Sequence, residues 1–224
     1  MYAKKNLSMK VVVLLLAVVL LIGCVAGGTL AYLMAKSSIV TNTFVVGDIG
    51  DLKLYENNEE ITTTTTKSFT IIPGKDITKD VAISYSFTEK KGYDDVPAYV
   101  FVKVGATGWT VETNNKTYTV SKDNTTLLSW SIADGWDYVT KENDGSMVYS
   151  RVVAADASLT KAPVIAALTG EGNIGHIKVS SEITKANISD VASDAGNITF
   201  TAYAIQQDGF ADAAAAWTQA KNAT

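Results

Sequence analysis

Along residues 77–87 apolar and polar side chains alternate. Ile77, Val81, Ile83, Tyr85 and Phe87 fall on one face and Thr78, Asp80, Ala82, Ser84 and Ser86 on the other, with Lys79 intruding on the apolar side. A period of two held this long predicts a half-buried strand. Residues 98–104 (AYVFVKV) are apolar on both faces and predict a central strand. Residues 43–55 (TFVVGDIGDLKLY) alternate through Ile49, Leu52 and Leu54 with a glycine break. A hairpin is expected over 109–120, turning at Asn114-Asn115, because asparagine tolerates the positive φ of tight turns. Residues 127–132, 147–154, 174–180 and 198–205 bring the expectation to roughly nine or ten strands. The five threonines at 62–66 suit either a strand or a polar loop. Two segments read as helical: 162–168, one or two turns in a connection, and 210–221 (FADAAAAWTQAK), which is rich in alanine. Many short strands separated by turns predict an all-β fold, an antiparallel β-sandwich of jelly-roll or Greek-key type with a short C-terminal helix.

The N-terminus follows a different pattern. Lys4, Lys5 and Lys10 precede an uncharged run over 11–35 whose strongly apolar part is 11–22, followed by Gly23, Cys24, Ala26, Gly27, Gly28, Thr29 and Ala31. This is the layout of an export signal. The reading divides the chain into a cleaved signal at 1–32, an N-terminal segment at 33–46 and a sandwich domain at 47–224, with cleavage between Ala31 and Ala35, near Tyr32. Two alternatives stand beside it. An uncleaved run of this length could span a bilayer. Leu21-Ile22-Gly23-Cys24 also matches a lipobox, which would make Cys24 the lipidated mature N-terminus.

Composition narrows the function classes. With 47% hydrophobic residues the chain has enough apolar surface to fold. The formal charge is -4, and removing the three N-terminal lysines leaves 16 basic against 23 acidic residues, a charge of -7. That balance argues against nucleic acid as a partner and against adhesion to an anionic surface by charge; contact with the membrane is expected only through the signal, before cleavage. One cysteine and one histidine leave little for thiol, zinc or haem chemistry, so no cofactor or metal is expected.

Candidate chemistry is sparse. The lone His176 lies in a predicted strand, and the chain contains neither HExxH nor GxSxG, so no catalytic residue is assigned and no enzyme is expected. Acidic clusters at Glu59-Glu60, Asp94-Asp95 and Glu142-Asn143-Asp144-Gly145 lack the alternating spacing of a calcium loop and read as solvated turns. Trp109, Trp130, Trp136 and Trp217 would form a sugar-stacking platform if exposed, but suit a core better.

Gly27-Gly28-Thr29-Leu30-Ala31-Tyr32, followed by Thr41-Asn42-Thr43-Phe44-Val45-Val46-Gly47, resembles the signal and first strand of Gram-positive proteins processed by the SipW-type signal peptidase, the TasA/camelysin family. The threonine-aspartate usual after the aromatic residue is replaced here by Leu33-Met34-Ala35-Lys36. Pro73-Gly74-Lys75-Asp76-Ile77 is similar to the family's turn before a long strand, 98–102 to its central strand, and 201–210 with Ala216-Trp217 to its closing strand and helix. The resemblance implies a secreted structural subunit of an extracellular or cell-surface, biofilm-type fibre. Its partners would be itself or related fibre subunits, and a dedicated signal peptidase during export. The alternatives are a monomeric carbohydrate-binding module and, third, a camelysin-like protease. The resemblance also points to the donor strand by which subunits pair, Ser37 to Val46, with Ile39, Val40, Thr41, Asn42, Thr43, Phe44, Val45 and Val46 as its pairing residues. That segment is β-branched, uncharged and free of Pro and Gly, the makeup of a pairing strand. The competing reading is an ordinary first strand of its own subunit.

Overall fold

The computed structural model describes residues 34–37, 42–44, 50–63, 68–87, 96–155, 157–166, 175–185, 187–194 and 196–222. All of them belong to one compact unit, 33–224. They form an all-β, antiparallel sandwich with a short C-terminal helix. Its larger sheet has six strands in the order β11 (Asp137–Lys141), β12 (Met147–Val153), β7 (Ala98–Ala106), β16 (Ile198–Gln206), β1 (Met34–Ser37) and β2 (Asn42–Phe44). The facing layer consists of two sheets. One runs β13 (Leu159–Pro163), β6 (Val81–Ser86), β3 (Asp51–Glu56) and β4 (Glu59–Glu60). The other runs β5 (Ile77–Thr78), β15 (His176–Val179), β10 (Thr125–Ile132), β9 (Thr117–Lys122) and β8 (Thr110–Val111), with β14 (Ile165–Ala166) beside β10. Val164 joins them side by side. Its N–H donates to Val81 O and its carbonyl accepts from the Ala133 N–H.

Alternation along the central strands decides what each face buries. Val100, Val102 and Val104 of β7 and Phe200, Ala202 and Ala204 of β16 pack inward with Leu52, Leu54, Ile83, Tyr85, Tyr118 and Trp130. Intervening residues of the same strands, Tyr99, Phe101, Tyr203 and Ile205, point to the other face and bury Ala216, Trp217 and Ala220 of the C-terminal helix. Both faces of this sheet are therefore covered, which is why 98–104 reads as apolar throughout. A third cluster places Val120, Leu127, Leu128 and Val179 under Ile183 and Val191. Val191 belongs to a first helix, α1 (Ile188–Asp194), that the sequence reading missed; the C-terminal helix is α2 (Ala213–Ala220), capped by Asp212 accepting from the Ala215 N–H at 2.8 Å.

Three expectations change. The alternating run 77–87 is not one strand: Ile77–Thr78 pairs with β15, whereas Val81–Ser86 pairs with β3 and β13. Lys79, the intruder in the pattern, lies at the switch between sheets, its N–H donating to Gly175 O. The helix expected at 162–168 is absent from its described part, because Ala162–Pro163 completes β13 and Ile165–Ala166 forms β14. The threonine run enters no strand at Thr62 and Thr63. The hairpin at 109–120 forms as expected, Asn115 taking a φ of 56° and Asn114 Oδ1 accepting from the N–H groups of Lys116 and Thr117. Gly50 immediately precedes β3, where a Cβ would lie 2.0 Å from Ser86 O, so only glycine fits.

Candidate functional site

The described residues singled out for chemistry lie on separate elements of the fold. His176 opens β15, opposite Thr78. Trp130, Trp136 and Trp217 are buried and Trp109 packs against the core, so the tryptophans form no exposed sugar platform. Trp136 donates to Pro163 O at 2.8 Å, and Trp130 stacks on Tyr118 with ring centroids 4.1 Å apart. Among the described residues, no three acidic, histidine or cysteine side chains gather as a metal-binding group. Glu59 and Glu60 form β4; Asp94 and Asp95 lie outside the described residues.

The Glu142–Asp144 cluster is a fastening. Its turn joins β11 to β12 at one end of the six-stranded sheet. Glu142 Oε1 accepts from the Trp217 indole at 2.6 Å and from Lys221 at 3.1 Å. The indole bond, then the lysine, holds the Glu142 carboxyl below its usual range against the opposing effect of burial. Asp144 accepts from Lys103 at 2.7 Å and from the Ser146 N–H at 2.9 Å, which lowers it from 3.8 to about 2. A second fastening lies inside. The Tyr118 and Tyr149 hydroxyls are 2.8 Å apart, and Tyr149 donates to Asn115 O at 2.6 Å, tying the β8–β9 hairpin to β12. Burial drives both hydroxyl pKa values up.

The geometry that bears on assembly is at the sheet edges. An edge strand offers unpaired N–H and C=O groups, and proteins guard such edges with short strands, charges, proline or bulges. β5, β8 and β4 have two residues each, and β4 is wholly acidic. β13 carries a register shift between Leu159 and Ala162, a lysine at φ 41° (Lys161) and Pro163. β11 shifts register between Tyr138 and Thr140 and bears Asp137 and Lys141. β2, Asn42-Thr43-Phe44, is also short, but it has no charge, proline or register shift.

Only part of the proposed donor segment falls within the described residues. Asn42, Thr43 and Phe44 form β2, and β2 pairs with β1 alone. Contact with the body is made upstream of it: Met34, Ala35, Lys36 and Ser37 pair with Ile205, Ala204, Tyr203 and Ala202. Residues 34–36 thus belong to the pairing segment, and Ala35 of the expected cleavage region stands in a strand. In the single chain the segment completes its own subunit's sheet. Cys24, Ala31, Tyr32, Ile39, Val40, Thr41, Val45 and Val46 lie outside the described residues.

β16 is nine residues long and pairs with β7 throughout, yet among the described residues only Ala202–Ile205 pair on its other side. Beside Ile198 and Phe200 lies a small cleft of about 50 Å³, lined also by Leu54, Ile61, Val81 and the Glu56–Lys79 pair. Lys79 Nζ lies 2.5 Å from Glu56 Oε1, 5.3 Å from the Phe69 ring centroid and 5.8 Å from that of Phe200. The two charges compensate each other in a lining that is about equally polar and apolar. Compared with known protein families, characterised proteins and solved structures, the chain has no match.

Proposed function

We propose that the protein is a secreted, non-enzymatic structural subunit of an extracellular or cell-surface fibre, in which the N-terminal segment of one copy completes the six-stranded sheet of the next. One observation carries the reading: Ala202–Ile205 of the long central strand β16 pair with a hairpin from the segment that follows the export-type sequence. Backbone ladders made within a chain can be made between chains with the same groups, and a head-to-tail exchange that does not close builds filaments. The resemblance to the TasA/camelysin family supports the same reading, as does the absence of guarding charges on β2. Jelly-roll winding, release by a dedicated signal peptidase, and self-association or association with related subunits belong to this proposal. Negative-stain microscopy of the secreted protein tests it. Filaments are expected; dispersed particles at every concentration would contradict it.

A further inference from the structure

Five oxidisable rings touch in an unbroken series through the sandwich. Trp109, just before β8, meets Trp130 edge to face with ring centroids 6.2 Å apart. Trp130 stacks on Tyr118 at 4.1 Å, the ring planes 2° apart. The Tyr118 hydroxyl lies 2.8 Å from that of Tyr149, whose ring meets Tyr138 edge to face at 6.2 Å. These are the separations of aromatic groups in contact. The three middle rings are buried, and the two ends reach solvent. Tyr138 is 37% exposed, and Trp109 is the one tryptophan of the four that is not buried.

Indole and phenol give up a single electron without a metal, and the oxidised ring then becomes a strong acid. The electron vacancy therefore comes to rest where the proton can leave. Trp130 Nε1 is, among the described residues, the one buried side-chain nitrogen or oxygen without a hydrogen-bond partner, so an oxidised Trp130 has nothing to receive its proton. Tyr118 donates to the Tyr149 oxygen and Tyr149 to Asn115 O, an amide carbonyl rather than a base. Burial pushes both hydroxyl pKa values up, which again opposes proton release. Only at Tyr138 does the series end in a phenol whose ring stands in water.

We infer that the series Trp109–Trp130–Tyr118–Tyr149–Tyr138 is an electron path that delivers oxidising equivalents to Tyr138, and that Tyr138 is the site of oxidative coupling to a second copy. A diffusible one-electron oxidant takes an electron from Trp109, whose indole proton passes to water. Tyr138 then sends an electron back along the rings and its hydroxyl proton to water, while Trp109 regains both and is restored. Two Tyr138 phenoxyl radicals on separate copies join ring carbon to ring carbon, giving a dityrosine with no further oxidant. None of this depends on the proposed strand exchange.

Pulse radiolysis of the secreted protein with the azide radical, which oxidises indoles in preference to phenols at neutral pH, tests the path. The indolyl absorbance should decay as the phenoxyl absorbance grows, at one first-order rate whatever the protein concentration. Tyr138→Phe removes only a hydroxyl and should leave the indolyl radical standing at least tenfold longer. Tyr149→Phe, checked as folded by circular dichroism, keeps the ring but not its ease of oxidation and should also slow the conversion. Tyr55→Phe, a half-buried tyrosine on β3 outside the series, should leave the rate unchanged. Conversion at the parental rate in Tyr138→Phe or Tyr149→Phe, or a rate proportional to protein concentration, overturns the path. Peptide mapping of the covalent dimer should find the dityrosine at Tyr138; a dimer joined elsewhere with Tyr138 intact overturns the coupling site.

Discussion

At the β11 end of the six-stranded sheet the last turn is fastened by side chains: Glu142 to the Trp217 indole and Lys221, Asp144 to Lys103. The register shift at Tyr138 and Thr140 and the charges of Asp137 and Lys141 make that edge a poor template for another strand. At the β2 end the strands are joined by backbone ladders, four positions onto β16 and three between β1 and β2. Side-chain fastening depends on particular partners in particular places. Backbone pairing is tolerant of sequence, so another copy can supply it. Under the proposed strand exchange the fastened end stays within its own chain and the β2 end is the one exchanged.

The largest effect on stability belongs to Trp217→Ala. It empties a site against Phe101 and Tyr203 and leaves the Glu142 carboxylate without its indole donor. A buried tryptophan cut to alanine costs about 3–5 kcal/mol, which for a domain this size lowers Tm by roughly 10 °C. Calorimetry should find that loss while filaments still form below the new Tm. Loss of filaments in a protein that remains folded would mean the fastened end also takes part in assembly.

Tyr149→Phe comes next. It leaves the Asn115 carbonyl and the Tyr118 hydroxyl without their shared partner, a loss of about 1–3 kcal/mol readable in urea unfolding. The same pair sets the alkaline limit. Both tyrosines have folded pKa values raised above 10.0, so their contribution is complete below that pH and is lost as pH climbs beyond it. A variant as stable as the parent would remove the tyrosine clamp from the account.

Acidification should loosen the fastened end first. Glu142 and Asp144 have depressed folded pKa values, so their contribution is present above the ordinary carboxylate range and disappears as pH falls from about 4 towards about 2. The readout is the Trp217 indole N–H resonance in NMR, expected to shift in that window before global unfolding. A resonance that changes only with the whole fold would show that the fastening has no separate step. The last prediction concerns the proposed donor segment alone: Ile39→Asp puts a charge into an otherwise uncharged pairing segment and should slow filament growth. Normal filament growth by this variant, followed by light scattering, would contradict the part proposed for that segment.

Much of this architecture is written in the period of the sequence. Residues 81–86 and 98–104 declare their strands because burial on one face or on both leaves a direct signature. The sheet switch at Lys79 was visible only as an unexplained charge, since the pattern cannot tell which strand a residue will pair with. Residues 162–166 misled because a short apolar run buried on both sides carries no period, and Pro163 sits where an edge strand tolerates it. Helix α1 escaped notice because its serine and aspartate residues are weak helix formers, and packing of Ile188 and Val191 holds it in place. β11 escaped as well, being charged and half exposed, as a guarded edge should be. At the candidate site the uncharged, β-branched makeup of residues 37–46 was legible from composition. That Met34–Ser37 makes the contact with the body, and that β16 receives it, required the ladder itself.

Removal of residues 33–46 tests the central claim most directly. The truncated protein, compared with the secreted parent by circular dichroism, size-exclusion chromatography and electron microscopy, is predicted to keep its β-sheet spectrum, elute as a monomer and form no filaments, because its fastened core is intact and the strands proposed to exchange are gone. Filaments of normal appearance from the truncated chain would contradict assembly through this segment, and a chain that fails to fold would show the segment to be an ordinary first strand of its own subunit.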